Sequence, residues 1–347
     1  MDRPHHRSRR ARHPLLASFG ILAGCAAPVV TTLPPARSYY LTAPGHDVSP
    51  ELEELFRSVH QIEYTADYTT YTFDEASGIT EGDIYAGGFE ARADTTYTET
   101  LAKAGTATVI RRSGNRLTLL TVGHVVRYPD FRLQFYEDPP GRRSGASDLS
   151  RHVASASVLN AERGRLLPRS GPLRFEVQAI DERFDLAMLQ IDLPGRVEAD
   201  RFPAVELDAG NARRLAWGSF LYVLGYPRGY PLVTRMIVSS PDHDGQGGYI
   251  TDGIWNEGMS GGLIVAIRGN TGALELVGLA RASAAEREFR LVPDTVGIAP
   301  GAPTLRYDGP LWLETGLRPT YGIALPISMT SIEGFLRAQG IELPGGR

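Results

Sequence analysis

The sequence predicts an all-β fold, a sandwich or a barrel. Eight short apolar runs lie between residues 106 and 279, and Gly, Pro, Asp and Asn separate them. Runs of this length with turn residues between them are typical of the strands of sandwiches and barrels. Helical periodicity is confined to one short segment at each end of this region. We therefore expect strands to form most of the protein.

The first helix is predicted just before the β-rich region. Ser49 provides a helix N-cap, Pro50 suits the first helical position and Glu51 places an acid in the first turn. Apolar residues then recur with helical spacing, at Leu52, Leu55, Phe56 and Val59. This spacing predicts a short amphipathic helix.

The predicted strands follow in order along the chain. They are Thr106–Ile110, Leu117–Val122, Leu173–Ile180, Leu186–Ile191, Phe220–Leu224, Val233–Val238, Leu263–Ile267 and Leu274–Leu279. Three polar stretches, at residues 74–100, 138–171 and 284–318, are too long for ordinary hairpin loops and are predicted to be surface insertions.

A second helix is predicted at the end of the fold. Thr330 and Glu333 have the spacing of a capping box, and Ile332, Phe335 and Leu336 form one apolar stripe. We expect this stripe to pack on the β-structure.

Composition excludes several classes of protein. The chain has 347 residues, of which 42% are hydrophobic, so it can bury a real core. Its formal net charge of −4 makes nucleic acid an unsuitable partner. The single cysteine, Cys25, excludes intramolecular disulfides and multi-cysteine zinc sites. The run Asp242–Asp244 is interpreted as a polar loop, and we expect neither a metal nor a cofactor.

The first 25 residues resemble a bacterial lipoprotein signal peptide. An Arg- and His-rich segment, residues 1–13, precedes a short apolar run at Leu15–Leu22. This run is far shorter than the about 20 residues of a transmembrane helix. The tetrapeptide Leu22–Cys25 resembles the lipobox, whose cysteine becomes the lipid-bearing first residue of the mature protein. The resemblance implies an extracytoplasmic protein that is anchored by lipid at Cys25, periplasmic or at the cell surface; Ala26 favours the outer membrane.

Three polar residues at strand boundaries suggest acyl-transfer chemistry. His124 ends an apolar strand, Asp185 begins another, and Ser260 lies in the glycine-rich turn Gly258–Gly262. A serine nucleophile needs a base that takes its proton and an acid that orients the base. His124 and Asp185 are the candidates for these roles. The amides of Gly258 and Ser260 are candidates for an oxyanion hole.

At these residues the sequence resembles the trypsin-like serine peptidases, most closely the bacterial HtrA-like branch. The family motifs T-x-x-H-V-V, D-L-A-x-L and G-x-S-G-G are matched by Thr121–Val126, Asp185–Leu189 and Gly258–Gly262. Further similarity lies at Gly105–Ala107, Gly225–Gly229 and Tyr321–Pro326, so the resemblance extends from about residue 58 to 340. Glu257 and Met259 depart from the family pattern, which usually has proline and asparagine there. The order of the triad also differs from that of the α/β-hydrolases.

The resemblance implies two packed six-stranded antiparallel β-barrels with the active site between them. We expect a signal peptide at residues 1–24, a flexible tether at 25–48 and a peptidase domain at 49–342. Within that domain the first barrel is expected at about 58–210, the second at about 215–328 and the C-terminal helix at about 329–339. No PDZ domain is expected after this helix.

Three functions are compatible with these residues. The first is a serine endopeptidase that acts on proteins or peptides. Ile254, six residues before Ser260, is at the family position that forms the base of the primary substrate pocket, which favours an aliphatic residue before the scissile bond. Residues 280–283 are predicted to pair with an extended substrate. The alternatives are a binding or scaffold lipoprotein without turnover and an esterase with the same triad. The sequence leaves the oligomeric state unknown.

Overall fold

The computed structural model of the protein describes residues 39–41, 45, 47–136, 149–194, 201–293 and 311–343. Within these ranges the helices are α1 (Ser49–Phe56), α2 (Glu81–Ala86) and α3 (Met329–Ala338). The strands are β1 (Val59–Thr72), β2 (Thr95–Ser113), β3 (Arg116–Val122), β4 (Phe131–Phe135), β5 (Val153–Leu166), β6 (Leu173–Asp181), β7 (Leu186–Asp192), β8 (Asp208–Ala209), β9 (Phe220–Gly225), β10 (Leu232–Ser240), β11 (Ile250–Thr251), β12 (Leu263–Ile267), β13 (Leu274–Pro293) and β14 (Leu311–Ser328).

The strands form two closed six-stranded antiparallel barrels, which confirms the predicted fold class. The first ring follows the order β1-β2-β3-β7-β6-β5 and closes through β1–β5 pairing, while β4 adds to the outer side of β5. The second ring follows β12-β9-β10-β11-β14-β13 and closes through β12–β13 pairing. The short β8 pairs with β13 in parallel. Because every strand of a closed ring has two neighbours, neither ring has an exposed edge along its full length.

Side-chain alternation explains why these segments form barrel strands. Along β1 every second residue from Ile62 to Thr70 is buried, which is the period expected for one face turned to the core. All five residues of β12 are buried, because this strand is covered on both faces. The stripe Ile332, Phe335 and Leu336 of α3 is also buried, as predicted.

Two of the predicted insertions contain barrel strands instead. Residues 153–166 form β5, and the stretch 284–318 includes parts of β13 and β14, which pair along a long hairpin. The polar character of β5 has a physical reason. Its arginines form ion pairs with carboxylates of β1, and its Ser157 shares a hydrogen bond of 2.8 Å with Thr70. Cross-strand pairs thus replace the apolar alternation that reveals a strand in the sequence.

The stretch 74–100 forms a small subdomain at the end of the first barrel. It holds α2, which begins with a capping box of Thr80 and Asp83, and the first residues of β2. A second hydrophobic cluster packs beneath it, made of Phe73, Ile79, Ile84, Phe89, Val153 and Ala156. This prediction of a surface insertion therefore fails only at its end, where β2 begins.

Both predicted helices occur, but their caps differ from the expectation. Val48 precedes α1, so Ser49 is its first residue and not its N-cap. Ser328 precedes α3, and Thr330 lies inside the helix rather than in a capping box. In α3 the helix starts earlier because β14 leads straight into it, with Ser328 still in an extended conformation.

The end of the predicted tether packs on the second barrel. Tyr39 is buried; its hydroxyl donates to Glu275 Oε2 at 2.7 Å and accepts from the amide of Asn211 at 2.9 Å. These contacts hold Tyr39 against the second barrel. Cys25, the predicted signal peptide and the rest of the tether lie outside the described residues. No helix in the described ranges has the length and apolar character needed to cross a membrane.

A buried histidine makes the stability of the first barrel sensitive to acid. His60 packs against Phe202 with ring centroids 5.4 Å apart and the rings tilted by 55°. Its Nε2 has no partner in the described part of the chain, and burial lowers its pKa to about 4. The unfolded chain binds a proton here below about pH 6.5, so stability is lost as the pH falls from there and levels off below about 4. We expect the loss to approach about 3 kcal/mol. Urea unfolding at pH 7 and 5 should show it, and His60→Leu should flatten the difference; an unchanged difference would contradict the assignment.

Candidate active site

His124 is placed by a single 3-10 turn after β3. The turn covers Gly123–Val126, and Val125 and Val126 are buried, so they hold it against the first barrel. Lys103, the only lysine in the chain, fixes the same turn from β2. Its Nζ donates to the carbonyl oxygens of His124 at 2.9 Å and Arg127 at 2.6 Å. Burial holds the pKa of this ammonium below its ordinary value.

Asp185 occupies a left-handed backbone conformation just before β7. Its φ is +59°, a region that aspartate tolerates better than most residues. This conformation lets both ends of the residue reach the histidine turn. The Asp185 carbonyl accepts from the amide of Gly123 at 2.9 Å, and Oδ1 accepts from the amide of His124 at 2.7 Å. Both the backbone and the carboxylate of Asp185 are therefore fixed to the turn that carries His124.

The structure brings His124, Asp185 and Ser260 together in one chain of hydrogen bonds. Nδ1 of His124 lies 2.7 Å from Oδ2 of Asp185, and Nε2 lies 3.0 Å from Oγ of Ser260. His124 and Asp185 come from the first barrel, and Ser260 comes from the turn before β12 of the second. These are the contacts that a serine nucleophile, its base and the acid that orients the base require.

The amides of Gly258 and Ser260 are both available beside the serine. The carbonyl of Glu257 accepts from the amide of Arg228, and the carbonyl of Met259 accepts from that of Gly262, each at 2.8 Å. In a trans peptide the N–H points away from the C=O, so the two following amides point away from these partners. Within the described residues no carbonyl accepts from either amide. Both can therefore donate to a ligand.

Comparison with protein families agrees with this geometry. The sequence model described as trypsin-like peptidase domain matches residues 105–279, which include all three residues of the hydrogen-bonded chain and half of the sequence.

The chain belongs to the trypsin-like peptidase family.

It is thus a hydrolase of the protease type, and peptides or proteins are its substrates. None of the curated proteins compared with the chain matches it.

Thr106 of the peptidase connects the two barrels behind Ser260. Its amide donates to the carbonyl of Ser260 at 2.8 Å, and its hydroxyl donates to the carbonyl of Gly258 at 2.7 Å. The same hydroxyl accepts from the amide of Tyr226 at 2.9 Å, and Thr121 donates to the Thr106 carbonyl at 2.7 Å. Thr106 is fully buried, so these bonds are shielded from water. They fix the glycine-rich turn to the first barrel.

The two departures from the family motif have different surroundings in the peptidase. Met259 is buried against Gly225, where a Cβ would lie 2.6 Å from the methionine sulfur. Glu257 has an exposed side chain, and its carbonyl is the one that binds Arg228. Met259 therefore fills the core under the turn, and Glu257 anchors the turn through its backbone.

Ile254, the predicted base of the substrate pocket, is 57% exposed. It therefore does not lie in the core, which excludes a purely structural packing role. Two nearby residues shape the segment before it: Asp252 accepts from the amide of Ile237 at 2.8 Å, and Trp255 lies close to Gly253. The aliphatic preference assigned to Ile254 stays a prediction.

A cavity of about 470 Å³ opens beside His124 of the peptidase. Its charged lining residues are Lys103, Arg127, Glu182, Asp185 and Arg281. Arg127 forms an ion pair with Glu182, and the guanidinium Nε of Arg281 lies 3.5 Å from Oδ2 of Asp185. Arg281 also lines a second cavity, of about 300 Å³, with Arg183 and His243. Among the described residues, Arg281 is thus the cation within ion-pair distance of the Asp185 carboxylate.

Sequence patterns did not indicate Thr106 or Lys103 as parts of the site, and they indicated Arg281 only as a member of the stretch 280–283 that is predicted to pair with a substrate. Thr106 was recognised only as part of an entry strand, because its four hydrogen bonds join segments far apart in sequence. Lys103 had one usable signal, since it is the only lysine of the chain. Nothing in the sequence places the guanidinium of Arg281 near Asp185.

The polar run Asp242–Asp244 forms a loop, as its composition indicates. The carboxylate of Asp244 accepts from the amides of Gln246 and Gly248, each at 2.8 Å, and Asp242 accepts from the amide of Gly247 at 2.6 Å. Backbone donors thus occupy the carboxylates. Among the described residues no cluster of His, Cys, Asp and Glu is arranged to hold a metal ion.

Proposed function

We propose that the protein is a serine endopeptidase of the HtrA-like branch, with Ser260 as nucleophile, His124 as general base and acid, and Asp185 as the residue that orients His124. The observation that carries the proposal is the continuous hydrogen-bonded chain from Asp185 through His124 to Ser260, in a protein of the trypsin-like peptidase family. Two or more bonds fix each member, so little reorganisation is needed before reaction.

The proposed reaction has two halves. Oγ of Ser260 attacks the scissile carbonyl carbon, and its proton passes to Nε2 of His124. The tetrahedral oxyanion accepts hydrogen bonds from the amides of Gly258 and Ser260. Each such donor contributes about 10²–10³ in rate in comparable enzymes. His124 then gives the proton to the leaving amine, which departs and leaves an acyl-enzyme on Ser260. Water, activated by His124, hydrolyses this ester and restores the serine.

The edge of β13 supports binding of an extended peptide. Pairing of β12 with β13 reaches only Leu279, whereas pairing of β14 with β13 continues beyond it. In the described ranges no strand pairs with the other edge of β13 after Ala280, and the carbonyl of Arg281 lies 3.2 Å from Oγ of Ser260. A substrate strand added there brings its backbone to the nucleophile. We propose aliphatic side chains before the scissile bond, facing Ile254.

The proposed location is extracytoplasmic, on the periplasmic or the outer face of a bacterial membrane. It is supported by the lipobox-like segment that ends at Cys25 and by the arginine-rich start of the chain. Cys25→Ser should move the protein from the membrane fraction to the soluble fraction of producing cells. Retention of the variant on membranes would remove support for the anchor without affecting the catalytic assignment.

A fluorophosphonate probe tests the catalytic assignment. We expect the wild type to be labelled on Ser260 and to cleave casein, and Ser260→Ala to do neither. Labelling that persists in the variant, or a wild type that is not labelled, would contradict the proposal that Ser260 is the nucleophile of an enzyme and would favour a binding protein. Labelling with hydrolysis of small esters but not of casein or a peptide library would favour an esterase. The same library, divided by the residue before the cut, tests the aliphatic preference.

A further inference from the structure

The strand β2 has a free edge along its first part. It pairs with β1 along Thr95–Thr108, but β3 joins its other side only from Thr108 onward. Just before that point, the amide of Thr106 donates to the carbonyl of Ser260. In the described part of the chain no strand pairs with this side of β2 at residues 95–104. Over these residues β2 is therefore an edge strand.

The backbone groups of alternate residues point to this free edge. In an antiparallel pair each strand turns every second residue toward its neighbour. Because the amide of Thr106 points to Ser260 and away from β1, the other even-numbered residues also turn their N–H and C=O groups away from β1. Within the described residues these groups have no backbone partner. They belong to Thr96, Thr98, Thr100, Ala102 and Ala104, of which the first four are exposed.

Residues 95–104 lack the features that usually protect an edge strand. Soluble proteins guard such an edge with a proline, a bulge or a charged side chain in solvent. This segment contains no proline, and its register with β1 is continuous. Its two charged side chains are engaged elsewhere: Glu99 accepts from Arg132 at 2.8 Å, and Lys103 donates to carbonyls of the turn that carries His124. An unguarded edge of this length is a template for another strand.

The free edge is complementary to the same edge of a second copy. A two-fold axis at Thr100 would place the two Thr100 residues opposite each other. It would also place Thr98 opposite Ala102. At the ends of the pair, Thr96 would meet Ala104. Every outward-facing backbone group then meets another one, which gives about ten hydrogen bonds between the two strands.

The side chains on the other face of β2 agree with this register. With the axis at Thr100, Glu99 lies opposite Leu101, and Lys103 lies opposite Tyr97, so no like charges face each other. An axis shifted by one residue to Glu99 would bring the two Glu99 carboxylates together, which is unfavourable. The charges of the strand therefore disfavour the register that lies one residue toward its N-terminus.

We propose that the free edge of β2 binds the same edge of a second copy in an antiparallel pair centred on Thr100, so that the protein forms a two-fold dimer. A substrate strand could use only the end of the edge next to Ser260. The eight residues from Ala104 back to Thr96 extend this edge by about 26 Å. The second copy accounts for the whole edge and for its charge pattern. The dimer does not depend on the role of Ser260 in catalysis.

A disulfide across the axis tests both the pairing and its register. All proteins compared carry Cys25→Ser, which leaves an introduced cysteine as the only thiol of the chain. In Thr100→Cys the two Cα atoms would lie about 5.5 Å apart, within the range of a disulfide. We expect a covalent dimer under mild oxidation. The control is Trp217→Cys, at a residue of the second barrel that is 69% exposed, and it should stay a monomer on a denaturing gel.

Removal of one edge donor tests the dimer without a thiol. Thr98→Pro deletes an N–H that faces the free edge and leaves the bonds with β1 in place, a change that edge strands tolerate. Light scattering at about 1–100 μM should show the mass of the Cys25→Ser parent rising toward that of a dimer. Thr98→Pro should keep the mass of a monomer with an unchanged thermal midpoint. Thr98→Val retains the N–H and should match the parent.

Three results would overturn the proposal. They are a parent that is monomeric at every concentration, a Thr98→Pro protein that still dimerises, and a Thr100→Cys protein that crosslinks no more than Trp217→Cys. A monomeric parent whose cleavage of casein is slowed by Thr98→Pro would show that the edge binds substrate and not a second copy. Fluorophosphonate labelling of Ser260 does not enter these measurements, so failure of the dimer and failure of the proposed function are separate results.

Discussion

Asp185→Asn should lower kcat/KM by about 10⁴ while leaving the protein folded. The size is that measured for the equivalent change in another serine protease, where the amide holds the imidazole in the wrong tautomer. Here the amide would meet Nδ1 of His124, which needs a carboxylate as acceptor. The backbone should tolerate the change, because asparagine adopts a φ of +59° as readily as aspartate. Initial rates and the thermal midpoint together check the result.

A matched control for this variant lies at the far end of β7, the strand that follows Asp185. Asp192→Asn makes the same chemical change at the end of β7, where the side chain is exposed and pairs with Arg116 at 2.9 Å. Surface pairs of this kind contribute at most about 1 kcal/mol, so activity should equal that of the wild type. If Asp185→Asn were as active as this control, the orienting role of Asp185 would be wrong.

Gly261→Ala should abolish activity and destabilise the protein. Gly261 has a φ of +86°, and a Cβ there would collide with the carbonyl oxygen of Thr106 and the hydroxyl of Thr121. Both neighbours belong to the connection between the barrels, so relief of the collision must move the glycine-rich turn. We expect a loss of about 3 kcal/mol from the strained backbone and the overpacking. The displaced turn should also reduce the fluorophosphonate labelling rate by at least about 10².

Gly334→Ala is the control for the effect of adding a methyl group. Gly334 lies in α3, and apart from its chain neighbours and the backbone of its own helix, no atom of the described residues lies within 4 Å of a Cβ built there. Because alanine favours helix over glycine, this variant should gain about 0.5–1 kcal/mol. Urea unfolding measures both changes. A Gly261→Ala protein with wild-type stability and labelling would contradict the tight contact between the turn and Thr106.

Much of the second barrel could be predicted because its strands carry their own signal. Segments such as Leu263–Ile267 are apolar throughout, and two glycines precede this one. The residue pattern alone therefore predicts burial on both faces of the strand. The strand β5 carried no such signal. Its arginines and serines are stabilised by partners on β1, which lie about 90 residues earlier in the sequence. A pattern read along one strand cannot contain that information.

The residues of the candidate site also fall into two groups, those that local sequence predicts and those that depend on distant partners. His124, Asp185 and Ser260 each lie at a strand boundary within a short motif, so local residue types and their order were enough to select them. The residues that hold them in place have no local motif. Thr106 acts through four bonds to other segments, and Lys103 through two carbonyls that only the folded turn presents.

By itself, the sequence determined the all-β class, the three residues that the fold joins in one hydrogen-bonded chain and the resemblance to the trypsin-like peptidases. Local patterns suffice there, because strand periodicity and short motifs are properties of neighbouring residues. Only the tertiary structure decided that β5 closes the first barrel, that Tyr39 packs on the second barrel and that Arg281 meets Asp185. These features depend on pairs of residues that are distant in the chain and come together only when both barrels have closed.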